Sequence, residues 1–195
     1  MKRIIPLVAL IFCSTTLLAQ SQLWKHVGPQ YLPTRLESAE LAPEQRAALI
    51  NLFKSSKTLG GWDCETDDDE LLKGLSFQKI PVAKDQNVVL VEAGAGCARG
   101  GQGANGAMWL VRLDSPRPVF LATPQDGFSG WLYTVQPTSS HGYRDIILGW
   151  HMSGREFGLS YFRFDGKTYR TVGTADAVFD DDEKLTITPN PARHR

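Results

Sequence analysis

From Leu75 onward the chain is cut into short strand-like stretches by Gly, Pro, Asn and Asp clusters, and no helix-length segment separates one stretch from the next. That order suits antiparallel hairpins and lacks the crossover helices that a parallel sheet needs. Period-two alternation or short apolar runs predict strands at 76–80, 87–92, 107–113, 119–122, 130–136, 145–151, 156–164, 168–173 and 184–188. Val88 to Val91 is continuously apolar and reads as a central strand. Around Asp165-Gly166, Phe162 and Phe164 share one side of the pleat while Tyr161, Arg163 and Asp165 share the other. The Phe side is expected to face the core, and Asp165-Gly166 predicts a tight two-residue turn with positive φ at both positions. The expected fold is mainly β (α+β): an antiparallel sheet, sandwich or partial barrel with one N-terminal helix.

That helix is predicted over 43–57. Pro43 at the first helical position loses no hydrogen bond, and Glu44 suits the positive end of the helix dipole. Ala48, Leu49, Leu52 and Phe53 form an apolar stripe, and Gly60-Gly61 ends the pattern. Ala42 is a poor cap residue.

The first residues read as an export signal. Lys2 and Arg3 precede an uncharged apolar run from Ile4 to Leu18, and small residues flank a cleavage point after Ala19 or Ser21. The run to Ala19 spans about 24 Å as a helix, short of the ~30 Å hydrocarbon core. Residues 1–21 are therefore expected to be cleaved, leaving a single mostly-β domain over 22–188 and a flexible tail over 189–195. A secreted or periplasmic location follows, with no membrane span after signal removal. Bacterial export also exposes thiols to oxidation, so Cys64 and Cys97 are expected to form a disulfide. Closing that loop of about 33 residues stabilises a fold by roughly 3–4 kcal/mol in the chain-entropy model.

The balance of 21 basic and 21 acidic residues removes bulk electrostatics as a reason to expect nucleic-acid binding. Gly101-Gln102-Gly103-Ala104-Asn105-Gly106 matches a dinucleotide fingerprint in letters, but Met108 to Arg112 after it reads as a strand where that fingerprint needs a helix. The stretch from Gly94 to Gly106 reads instead as a Gly-rich loop carrying Arg99. The acidic runs at 63–70 and 180–183 lack the Gly and Glu positions of an EF-hand. No cofactor or dedicated metal site is expected, and weak calcium binding at these runs stays open. His26, His141, His151 and His194 have no zinc spacing, and Gly127-Phe128-Ser129-Gly130 falls short of a nucleophile elbow. No catalytic residue is assigned.

What remains is a cluster of aromatic and basic residues around one strand–loop–strand unit. Trp131, Tyr133, His141, Tyr143, Arg144, Trp150, His151 and Arg155, with Arg99, form the candidate binding surface. Strand aromatics also build cores, and alternation places Trp131 and Tyr133 on one face.

The segment His141-Gly142-Tyr143-Arg144-Asp145-Ile146-Ile147-Leu148-Gly149 resembles the G-x-x-D-[LI]-x-x-G core of FG-GAP/VCBS-like units in exported β proteins. The later Phe162-Arg163-Phe164-Asp165-Gly166-Lys167-Thr168-Tyr169 resembles a hairpin that often follows in bacterial secreted proteins. The likeness covers about 30 residues and implies β structure and export. In that family acidic residues ahead of the Gly form a calcium loop. Pro137, Ser139 and His141 stand there in this chain, so the calcium function is not carried over.

The expected role is a non-catalytic exported β domain that binds a protein or a carbohydrate in the envelope or outside the cell. A small secreted hydrolase, with His and acid residues brought together by the fold, and a structural envelope component are the alternatives. A histidine hydrogen-bonded to a carboxylate in a deep pocket would favour the hydrolase.

Overall fold

A computed structural model of the chain describes residues 22–28, 34–56, 58, 74–84, 86–93, 105–114 and 117–191. The expected signal segment, Cys64, Cys97, Arg99, the first acidic run and most of the Gly-rich loop lie outside the described residues.

The sequence-predicted fold class is what forms: mainly β, with an antiparallel sheet that does not close into a tight barrel. Among the described residues, helix α1 (Pro43–Ser56) precedes nine strands. These are β1 (Leu75–Lys79), β2 (Val88–Ala93), β3 (Gly106–Arg112), β4 (Val119–Ala122), β5 (Ser129–Ser140), β6 (Tyr143–His151), β7 (Glu156–Phe164), β8 (Tyr169–Phe179) and β9 (Leu185–Pro189). Their order across the sheet is β1-β2-β3-β5-β6-β7-β8-β9, with β4 paired to the side of β3.

Three apolar clusters fix the layering. Val88, Leu90, Met108, Leu110 and Leu121 from β2–β4 pack with Leu132, Ile146, Leu148 and Phe162 from β5–β7. The two halves of the sheet thus share one inner core. On the outer face of β2 and β3, α1 lays Leu49 and Phe53 over Val89, Val91, Trp109 and Val111. On the outer face of β5–β9, residues 22–28 bring Leu23, Trp24 and Val27 over Tyr133, Leu159, Tyr161, Ala175 and Ala177. Val88–Val91 therefore does lie buried on both faces. The weak cap of α1 is helped by Gln45, whose side-chain oxygen accepts from the Ala42 N–H at 3.0 Å. This is the Gln half of a capping box, without the hydroxyl half.

Two strands run longer than the sequence suggests. β8 continues to Phe179 because Gly173, Ala175, Ala177 and Phe179 alternate onto the outer face buried under residues 22–28, and the small residues hid that alternation. β5 continues through Pro137 to Ser140, with the register against β6 shifting between Val135 and Ser139. Such an irregularity is where a strand tolerates proline.

The tight turn also moves. Only Gly166 has positive φ (102°) at Asp165-Gly166, and the loop shifts to Gly166-Lys167. The Asp165 carboxylate accepts the N–H groups of Lys167 and Thr168, both at 2.8 Å, and holds its own backbone outside the turn. The hairpin with two positive φ values is His141-Gly142 (52° and 82°), between the paired Ser140 and Tyr143.

The expected disulfide is corrected. No two of the three cysteines approach disulfide distance. A bridge requires Cα atoms within about 7 Å, a condition that cysteine number and compartment do not supply.

The halves of the sheet join through a ladder of two pairs, Gly106↔Gly130 and Ala107↔Ser129. At Gly130 (φ 110°) a Cβ would stand 2.1 Å from the carbonyl oxygen of Gly149. Backbone cannot yield as a side chain can. Gly130→Ala is expected to destabilise the fold by about 3 kcal/mol or more in urea denaturation, and a loss below about 1 kcal/mol would contradict this packing.

Candidate functional site

The candidate surface does not assemble in one place. Along β6, Tyr143 and Trp150 are separated by about 23 Å of strand, and alternation turns Trp150 and His151 to opposite faces. The candidates fall into three groups with different surroundings.

At the Tyr143 end the side chains hold the fold. Tyr143 is buried, stacks on Phe164 at 4.2 Å, donates its hydroxyl proton to Gln86 and accepts from Arg112 at 3.2 Å. The Arg144 guanidinium donates to the carbonyls of Gln136 (2.7 Å), Val135 (3.3 Å) and Pro81 (3.4 Å), so it clamps the irregular part of β5. His141 is a turn residue; its Nδ1 lies 3.0 Å from Ser140 Oγ and 3.3 Å from the Phe164 carbonyl.

On the outer face, Trp131 and Tyr133 do act together, but as core. Residues 22–28 cover that face, and the Tyr133 hydroxyl donates to the Gly28 carbonyl at 2.6 Å. Trp131 fills the space above Gly149, where a Cβ would meet its ring at 2.6 Å. His151 packs its ring against Trp131 and Phe157, with centroids at 5.7 and 5.0 Å. Its backbone pairs with the Asn105 side chain, receiving at O (3.2 Å) and donating from N (2.9 Å).

Sequence reasoning passed over the buried charge at the centre of this face. Asp145 is fully buried, and its Oδ2 accepts from Thr138 Oγ1 (2.9 Å), the Tyr161 hydroxyl (3.1 Å) and Arg163 Nη2 (3.0 Å). Register faces Asp145 with Arg163, because Ile146 pairs Phe162. A charge out of water needs such partners. The signal was present as an Asp beside a strand's apolar run and an Arg at an alternating position of a later strand. Asp145 therefore meets an arginine of the neighbouring strand. The carboxylate's field and burial both act on nearby phenols. Burial pushes Tyr169 far above its ordinary 10.0, with Asp145 adding to the effect. Burial also raises Tyr161.

The third group is solvent-facing. Trp150 is 47% exposed and lies across Gly158, where a Cβ would come within 1.9 Å of the indole nitrogen. Pairing continues the row through Gly158↔Asp176 and Asp176↔Thr188. The adjoining row is Glu156, Val178 and Thr186. All of these except the covered glycine are exposed. Asn190 donates to Asp176 Oδ1 at 3.4 Å, placing an amide beside the carboxylate. Arg155 stands in the adjacent turn, paired with Asp181.

Between residues 22–28 and β9 lies a groove of about 340 Å³ lined by Trp24, Val27, Glu183, Lys184, Leu185 and Ile187. The second acidic run forms the turn before β9: Asp180 Oδ1 accepts from the Asp182 and Lys184 N–H groups at 3.1 and 2.8 Å. Among the described residues no cluster of three His, Cys, Asp or Glu side chains is placed to hold a metal, and no helix is long and apolar enough to cross a membrane.

No family model, curated protein or solved structure matches the chain.

The tyrosines give a pH test. The folded chain holds the Tyr169 and Tyr161 protons more tightly than the unfolded chain does. Stability is thus intact below the unfolded tyrosine pKa of about 10 and falls as pH rises above it, by up to about 1.4 kcal/mol per pH unit for each phenol. Urea denaturation between about pH 9 and about pH 11 should show this slope, shallower in Tyr169→Phe. An unchanged slope in that variant would remove Tyr169 from the account.

Proposed function

We propose that this chain is a non-catalytic exported β domain that binds a partner in the cell envelope or outside the cell through the Trp150 face. The observation that carries the reading is the indole of Trp150, held against Gly158 with its other side open to water. A large aromatic normally finds cover, and an exposed one held against a sheet is a ready contact surface. The basic and apolar opening of the sequence supports export.

Other candidate residues are already engaged. Trp131 and Tyr133 lie under residues 22–28, Arg144 clamps backbone carbonyls, and Tyr143 is buried against Phe164 and bonded to Gln86 and Arg112. Trp150 carries no such duty, so its exposed area is free for a partner.

Cells expressing the full chain should release it into periplasm or medium, shortened by its leader in intact-mass measurement. A full-length mass confined to the cytosol contradicts export. The released protein should be retained on an envelope fraction, and Gly158→Ala should lower retention about fivefold while keeping the tryptophan, because the new methyl displaces the ring. Equal retention of both proteins would detach binding from this face.

A further inference from the structure

We propose that the Trp150 face is a sugar-binding platform for neutral or N-acetylated hexopyranoses. This rests on the binding role given above and adds the class of partner.

The chemistry starts with the ring. An indole lying along a sheet presents its electron-rich face outward. A hexopyranose with equatorial substituents presents axial C–H groups on its two faces, which suit that surface. The ring bridges one interstrand step, about 4.8 Å, from β6 to β7. Its far side therefore lies toward Asp176, the next residue in the row.

Hydrogen-bonding groups stand where a stacked sugar's hydroxyls would reach. Asp176 accepts, Asn190 both donates and accepts, and Thr188 continues the row. Ser160 and Thr174 form the neighbouring pair on the same side. An aromatic plate with polar groups at its rim is how a ligand with apolar faces and a polar edge is held.

Charge selects among sugars. Glu156 and Asp176 are exposed on this side, and Arg155 in the nearby turn is already paired with Asp181. The face is therefore acidic and disfavours uronic acids. A protein partner fits less well. A protein-binding core is apolar and excludes charge, whereas Trp150 here shares its row with Asp176 and Thr188, and the exposed Val178 in the adjoining row is paired with Glu156.

The test is calorimetric titration of the exported full chain with cellotetraose, chitotetraose and tetragalacturonate. One of the two uncharged oligosaccharides should bind, and tetragalacturonate should bind at least about tenfold more weakly. Trp150→Ala should weaken binding about tenfold or more, Trp150→Phe should restore much of it, and Asp176→Ala should cost about threefold to tenfold. Asp176 is exposed, so its variant keeps the test open if loss of Trp150 disturbs folding. Binding unchanged in both Trp150→Ala and Asp176→Ala overturns the platform, as does a preference for tetragalacturonate. No binding of any of the three sugars, with envelope retention still dependent on Gly158, overturns the sugar assignment and leaves the broader binding role standing. Loss of both overturns both.

Discussion

Two indoles laid on two glycines, one on each face of the sheet, tie the fold to its exposed surface. Trp131 from β5 covers Gly149 of β6, and Trp150 from β6 covers Gly158 of β7. Glycine weakens a strand by leaving backbone unpacked, and a neighbouring aromatic restores the lost contact. On the outer face that exchange is sealed under residues 22–28, so Trp131 becomes core. On the other face nothing among the described residues lies over the ring, and Trp150 remains half exposed. The same local device gives packing in one place and a contact surface in the other, because coverage differs.

Coverage is set by strand length. β4 has 4 residues and β8 has 11, roughly 13 Å against 36 Å of strand. The short strands of the first half shield the inner side of β5–β7 as far as Leu132, Leu148 and Phe162, and that of β8 near Tyr169. There Arg170 Nη1 reaches Asp126 at 2.9 Å and Phe128 packs edge-on against Phe162. Beyond that point the inner side of β7–β9 emerges into water, and its residues change from Phe162 and Phe164 to Glu156, Asp176, Thr186 and Thr188. The hydrophobic pattern follows the shadow of the overlying strands.

Local periodicity made the strands readable, since a pleat repeats every two residues. It could not say which face would be covered, because cover comes from distant segments. Trp131 and Tyr133 are candidates for a binding surface as well as for core by sequence, and the cover given by residues 22–28 makes them core. Asp145 was invisible as a site for the same reason: its partner Arg163 is chosen by register between β6 and β7, and no spacing rule encodes that. At Asp165-Gly166 the residue types announced a turn correctly, yet a side-chain carboxylate accepting two N–H groups moved it one residue along. Cysteine arithmetic failed more simply, because an even number of thiols carries no distance information.

The open end also leaves a strand edge without a partner strand among the described residues. β9 is an edge strand, and an exposed edge invites pairing with other chains. Pro189 ends it, Lys184 and the Asp180–Glu183 turn begin it, and the threonines at 186 and 188 keep its inner, water-facing side polar. Against that background one large aromatic on the same side, with Val178 in the adjoining row, departs from a mostly polar surface. Local consistency across a surface is what a fold needs for itself, and breaks in it concentrate where a surface has a second task. Trp150 is such a break, and Gly158 beneath it confines the break to one defined ring position.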